Sequence, residues 1–439
     1  MKLNLNITYK YLFIISILWL LLDGILRKWF LFQFAGPLFY VKYILFGLSY
    51  ASFILSKNSI PKVRYIYQYF IILFILICFL GVLNNKLENP SIVGIVGLIV
   101  HIYFMPIIHL NQFIFKNLNA IDTLSKVIAY LSIPICILGM VQFYLPTDHI
   151  INGFTNEAQL ITRVGDFTRI SSVFSFVKIY NAYLLFCITF LTVVILNKLL
   201  QNKKSILLNI ILILLIINMF MTGSRLPLVL MFMNLFIIGI YVLISFPSLR
   251  KTVSVVTILA VMFITTLYLT TSLVADPIDA TIGRFEQAES RHKTESTGYT
   301  DVQLRMTDRL DIFKFSESAG FFGYGIGTTY QGNAAVIKDP IPFYFEEEGE
   351  RIVLEIGIIG GIILILMRLS ILFFAFKILK WCKSVEIKLL LLGLIVYIIP
   401  PVLTIKMTTY SYLENFFYYF AIGLIIALYK IHQNKIQEK

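Results

Sequence analysis

The strongest constraint in this chain is the length and number of its apolar runs. LLNIILILLIINMFM (207–221) is followed after one short turn by LVLMFMNLFIIGIYVL (228–243), and similar runs recur from end to end. A stretch of roughly 18 apolar residues is what a helix needs to cross the hydrocarbon core of a bilayer. The runs do not alternate polar with apolar, so the ~10-residue pattern of a transmembrane barrel is excluded. Only 14% of residues are charged, against about 25% in soluble domains. The expected fold class is an all-α polytopic integral membrane protein.

Reading the runs gives about twelve transmembrane helices, at 11–26, 36–55, 65–83, 91–110, 124–145, 174–196, 205–221, 226–246, 252–273, 352–376, 386–403 and 412–429. No small-residue cleavage site follows YLFIISILWLLL; DGILRKW comes instead, so the first run is read as a retained span. Placing the N-terminus inside puts Lys57, Lys62, Arg64, Lys116, Lys126, Lys198, Lys203, Arg250, Lys251 and the lysines at 377–388 and 430–439 on the cytoplasmic side. The short outer turns after the third, seventh and eleventh runs then hold only Lys86, Arg225 and Lys406. That asymmetry is the positive-inside bias, and it predicts N-in/C-in topology. It also accounts for the net charge of +13 without a nucleic-acid partner. The four cysteines lie in or beside apolar segments with no CxxC or CxxH spacing, which indicates neither a zinc site nor a disulfide framework.

The expected organisation is helices 1–9 within 1–273, with a shorter outer loop at 146–173. A large extracytoplasmic loop follows at 274–351, and helices 10–12 occupy 352–439. Long loops carry function more often than spans do, and most of the remaining arginines gather in these: Arg163, Arg169, Arg284, Arg291, Arg305, Arg309 and Arg351. With Arg225 they form an outer arginine layer. Arginine's planar fork suits a diphosphate, and at a membrane surface such a group belongs to a polyprenyl-linked sugar. Arg225 sits in TGSRLP, with Pro227 in the first turn of a re-entering helix and Ser224 as its cap. The plain alternative is an interfacial arginine reaching for headgroups.

In DVQLRMTDRLDIFKFSES (301–318), Val302, Met306, Leu310 and Phe313 fall on one helical stripe. Arg305 and Arg309 lie one turn apart on another, able to meet one phosphate or to form a solvated face. GFFGYGIGTTYQGN (320–333) is neither a dinucleotide fingerprint nor a Walker loop. Tyr324, Tyr330, Phe343, Tyr344 and Phe345 offer faces for sugar rings, or serve as interfacial anchors. In FEEEGER, Glu346, Glu347, Glu348 and Glu350 crowd the start of the tenth span. Carboxylates are favoured at a helix N-terminus, and one near a sugar-transfer site can act as general base. No Asp-x-Asp pattern supports a metal, and no cofactor motif is present. Ser224 lacks a nucleophile elbow. His101 and His109 read as core histidines, and the charges inside the spans (Asp23, Lys42, Arg368) are too few to suggest an ion-driven carrier.

Taken together, these pieces resemble the O-antigen ligase/Wzy-type O-antigen polymerase superfamily. The residues that carry the resemblance are TGSR between two spans and RISSVFSFVKIYNAYL from Arg169, with Asn181 and Ala182 in the motif. GYGIG in the large loop, LEIGIIGG (354–361) opening a late span, and DGILRKW complete it, all in the expected order. The resemblance implies a GT-C-like glycosyltransferase in a bacterial plasma membrane, facing the periplasm or exterior. Its substrate would be an undecaprenyl-diphosphate-linked glycan, and it would need neither metal nor cofactor. Its partners would be the lipid bilayer, a chain-length regulator and a flippase. Arg169 and Arg225 occupy the diphosphate-holding positions, with Arg305, Arg309 and Arg351 assisting. Ligases of that superfamily carry a histidine eleven residues before the first glycine of E-x-G-x-x-G. Here that position is Glu346, followed by Glu347, which favours a repeat-unit polymerase with Glu346, Glu348 or Glu350 as base. A ligase, or a transporter or flippase of a lipid-linked sugar, are the alternatives.

Overall fold

The computed structural model describes residues 5–56, 65–84, 86–153, 163–164, 166–203, 205–247, 250–251, 254, 262, 265–294, 309–402 and 404–437. Among the described residues the regular structure is helical, apart from a short antiparallel pair of two-residue strands, β1 (Arg163–Val164) and β2 (Phe167–Thr168). The helices are α1 (Leu5–Ile25), α2 (Ala35–Leu55), α3 (Ile66–Leu83), α4 (Ser91–Ile102), α5 (Ile107–Ile114), α6 (Leu118–Tyr144) and α7 (Val177–Leu200). They continue with α8 (Ile206–Met221), α9 (Arg225–Ser245), α10 (Ser272–Thr294), α11 (Glu348–Trp381), α12 (Val385–Val402) and α13 (Tyr412–Gln437). Lipid offers backbone N–H and C=O groups no partner, so runs this apolar must satisfy every backbone bond internally. Among the described residues, nine helices are long and apolar enough to cross a membrane. The protein is therefore an all-α polytopic membrane protein.

Several expected spans take a different form. The run at 91–110 is two helices, α4 and α5, bent by 41° at a short break. Pro106 closes that break, where its missing N–H cannot continue the α4 ladder. The run at 205–221 is the 16-residue α8, shorter than a full span. The run at 252–273 lies mostly outside the described residues. The segment 301–318 is not one helix to its end, because the backbone leaves helical geometry after Leu310 and turns until Ser316. Arg305 and the first part of that stripe lie outside the described residues.

The chain folds as two compact units, each discontinuous in sequence. The first comprises Met1–Ile60, Ile114–Arg291 and Val385–Val396. In it α1 packs on α2, and α7 packs on α6, α8 and α9. Helix α7 is apolar on all sides, the mark of a helix enclosed by protein, and 78% of its central stretch is buried. Polar pairs tie it to its neighbours: Tyr180 donates to Asn218 Oδ1 at 2.9 Å, and Asn234 donates to Thr189 Oγ1 at 3.0 Å.

The second unit comprises Pro61–Phe113, His292–Ser384 and Tyr397–Lys439. Here α3 packs on α4 and α11, and α13 is almost wholly enclosed. Asn111 donates to Phe420 O at 2.9 Å, and Asn415 donates to Val100 O at 2.7 Å. Helix α11 is kinked at Gly357, whose φ of +70° suits glycine alone. The four cysteines are buried and free of disulfides.

Buried charge is richer than the expectation of sparse charge in the spans. Arg27, Lys28, Glu348, Glu350, Arg351, Glu355 and Glu414 join Asp23, Lys42 and Arg368. Arg27, Lys28, Glu348, Glu350 and Arg351 lie just beyond the expected ends of their apolar runs, where the helical structure continues, while Glu355 and Glu414 lie within the tenth and twelfth runs themselves.

Candidate functional site

The first unit builds a cationic site on the TGSR turn. Thr222 closes α8 by donating from Oγ1 to Met219 O at 2.8 Å, and Gly223 then takes a φ of +59°. A Cβ at Gly223 would fall 2.7 Å from Val164 Cγ2, so the β1–β2 hairpin sits directly on the turn. Four residues beyond Val164 the hairpin ends and Arg169 follows. Its Nε donates to Thr222 O at 2.9 Å, and a terminal nitrogen donates to Ser224 Oγ at 2.7 Å. Asn181, near the start of α7, donates to the same Ser224 oxygen at 2.8 Å. Arg284 of α10 donates to Gly223 O at 2.8 Å, and Thr281 donates to Phe220 O at 3.0 Å.

Three arginines therefore converge: Arg169, Arg225 at the start of α9, and Arg284. Burial, then the Arg284 charge, then the Arg225 charge, push the Arg169 guanidinium down to about 10. It stays cationic at neutral pH, in surroundings that disfavour its charge. Its hydrogen-bond partners are neutral oxygens, and it makes no ion pair with a described carboxylate. A buried cation held by neutral oxygens, with two more arginines beside it, suits an anion.

One expectation is corrected here. Ser224 occupies the N-cap position of α9, but its side chain makes no capping bond. Its hydroxyl oxygen instead receives Arg169 and Asn181, and so holds the loop to the turn. Of the diphosphate candidates named from the sequence, Arg169 and Arg225 come together. Arg284 joins them; it was visible in the sequence only as one more outer arginine. Arg305 lies outside the described residues.

The second unit contains the remaining candidates. Arg309 Nε donates to Glu347 Oε1 at 2.9 Å, an ion pair within this unit. Arg351 is buried, with its guanidinium 5.4 Å from the Phe345 ring centre and 5.3 Å from that of Tyr410. Glu348 is fully buried. It accepts from Arg368 at 2.7 Å and from the backbone amides of Thr408 and Thr409, both at 2.9 Å. Glu350 accepts the backbone amides of Glu346 and Glu347, closing a capping box on α11, and pairs with Lys314 at 3.0 Å. Glu346 is the exposed member of the three proposed bases. Tyr344 is 84% exposed, whereas Tyr324 and Tyr330 are half-buried, with Lys86 Nζ 5.4 Å from the Tyr324 ring centre.

The glycine-rich loop and the E-x-G-x-x-G stretch lock onto one another. Tyr324 N donates to Leu354 O at 2.7 Å and Gly325 N to Glu355 O at 3.0 Å; Ile358 N donates back to Gly320 O at 3.1 Å. The loop thus satisfies backbone groups that the kink at Gly357 frees. A Cβ at Gly357 would meet Phe321 O at 2.2 Å. Glu355 Oε1 accepts Thr329 N at 2.9 Å and Thr329 Oγ1 at 2.7 Å, while Oε2 lies 3.4 Å from His101 Nε2. His101 is buried as expected of a core histidine, but its carboxylate neighbour was not legible, since 254 residues separate the two in sequence.

A polar recess in the first unit, at the ends of α6, α7 and α12, is lined by Asp122, Lys126, Lys198, Lys203 and Glu386. Asp122 already pairs with Lys126 at 2.8 Å and Lys198 at 3.3 Å, so it offers an anion little. Among the described residues, no group of three or more metal-ligating side chains is present. No family model, curated protein or solved structure matches the chain.

Proposed function

We propose that this protein is a membrane glycosyltransferase that polymerises undecaprenyl-diphosphate-linked repeat units at the outer face of a bacterial plasma membrane. The observation that carries the reading is the convergence of Arg169, Arg225 and Arg284 on the TGSR turn, with neutral oxygens as the bonded partners of Arg169. Such a cluster suits the diphosphate of a lipid-linked donor. In the transfer, an acceptor hydroxyl attacks the anomeric carbon and the bond from that carbon to the diphosphate oxygen breaks. The lipid diphosphate leaves with the electron pair, and the arginines stabilise the charge it gains. The hydroxyl proton passes to a general base. Of the three glutamates named for that role from the sequence, Glu346 is exposed, while Glu348 and Glu350 are engaged within the second unit. Tyr344 offers an open ring face for a sugar. The sequence threading of twelve spans, N-in and C-in, is part of the same proposal.

The decisive experiment is Arg225→Glu, with expression and membrane insertion verified. Loss of long polymer is expected; a normal polymer length distribution overturns the reading. A deletion strain separates the ligase alternative: a lost polymerase leaves single units on the acceptor, a lost ligase leaves long chains on the lipid diphosphate.

One observation favours a carrier as second reading. The buried His101–Glu355 contact joins the broken α4–α5 pair to the kinked α11, and discontinuous helices with buried ionisable groups are frequent in transporters. Purified protein given defined lipid-linked repeats decides it: a carrier moves them without changing their length.

A further inference from the structure

The arginine site depends on a support far from it in sequence. Gly24 and Lys28 stand four residues apart, at the end of α1 and in the π-helical turn Leu26–Phe30 that continues it, so they share a face. A Cβ at Gly24 would fall 2.0 Å from Val173 O, so the backbone at 173–175 rests directly on the helix. One turn on, the buried amine of Lys28 donates to Ser171 Oγ at 2.8 Å and to Ser172 O at 2.9 Å. Ser172 has a φ of +49°, a left-handed conformation that serine adopts only when its surroundings hold it there. Those surroundings are explicit. Its amide donates to Gln142 Oε1 at 2.6 Å, its hydroxyl donates to Ile135 O at 2.6 Å, and its carbonyl takes the lysine. Arg169 leaves the chain three residues earlier.

A lysine amine buried at the end of a membrane helix is costly, and an apolar side chain would avoid the cost. We propose that Lys28 is the positioning residue of the anion site: it pins the left-handed turn at Ser172 and so fixes the backbone from which Arg169 reaches Thr222 and Ser224. The neighbouring Asp23 pairs instead with Arg27 at 3.4 Å and Lys42 at 3.6 Å. The inference rests on the reading of the arginine cluster as a diphosphate site.

The test uses full-length protein in nanodiscs, with inorganic diphosphate as probe and calorimetry as readout. Lys28→Met is expected to weaken binding on the order of tenfold or more, as small misplacements of a binding group do. Lys28→Arg, which keeps a donor, is expected to recover part of that loss. In an Arg169→Ala background, Lys28→Met is expected to add nothing, because the lysine acts through the arginine. An equal loss in both backgrounds marks general destabilisation and overturns the proposal. Unchanged binding in Lys28→Met, with weakened binding in Arg169→Ala, overturns it while sparing the anion-site reading. Unchanged binding in Arg169→Ala overturns both. If Lys28→Met does not fold, Ser171→Ala removes one acceptor of the same amine, and a several-fold loss is expected; no loss overturns the proposal.

Discussion

At the scale of single residues, Arg169 carries an electrostatic cost that a ligand can remove. Burial and its two arginine neighbours hold its folded pKa at about 10, below the ordinary arginine value. A cation with a lowered folded pKa destabilises the fold fully below that value, and the penalty fades as pH rises through it. A bound anion offsets the same penalty at neutral pH. Inorganic diphosphate at about a hundred times its Kd is therefore expected to add ~2.7 kcal/mol to stability, seen as a rise in Tm that Arg169→Gln loses. Arg169 should hold its charge from pH 6 to 9, and binding should weaken as pH passes 10; calorimetry across that range checks it. Glu348 illustrates the opposite case, a buried carboxylate whose partners are all internal. Glu348→Ala strands Arg368 and is expected to cost about 3–5 kcal/mol. A Glu348→Leu/Arg368→Met double variant should recover much of that in a thermal melt.

At the scale of elements, two motifs that look independent in sequence are one structure. The loop at 320–327 docks on α11 where Gly357 breaks it, and each supplies the backbone bonds the other lacks. Gly357→Ala puts a Cβ against Phe321 O and forces alanine to a positive φ. A loss of at least ~1–2 kcal/mol is expected, together with faster protease cleavage between 320 and 333. The chemistry of these motifs was legible as glycine-rich turns near a carboxylate. Their mutual docking was not, because sequence spacing carries no information about which turn fills which kink. The same holds for Ser224, whose position reads as a helix cap while its hydroxyl oxygen receives Arg169 and Asn181.

At the scale of the whole molecule, membrane residence follows from composition, and sidedness is the proposal to test. Single cysteines placed at Lys203 and Lys435 in a background lacking Cys78, Cys136, Cys187 and Cys382 should react with impermeant thiol reagent only in broken cells. Cysteines at Arg163 and Tyr344 should react in intact ones. Labelling of Lys203→Cys from outside overturns the N-in/C-in threading.

The sequence by itself determined the helical, membrane-embedded class, because lipid leaves an apolar chain no other way to satisfy its backbone. It also marked Arg169 and Arg225 as candidates, through their place in the RISS and TGSR segments between apolar runs. Only the tertiary structure decided that Arg284 joins them, that Glu348 is held by Arg368, and that Lys28 supports the loop. Those contacts are set by packing between helices distant along the chain. Hydrophobic periodicity reports which face of a helix is apolar, and says nothing of which polar groups meet behind it.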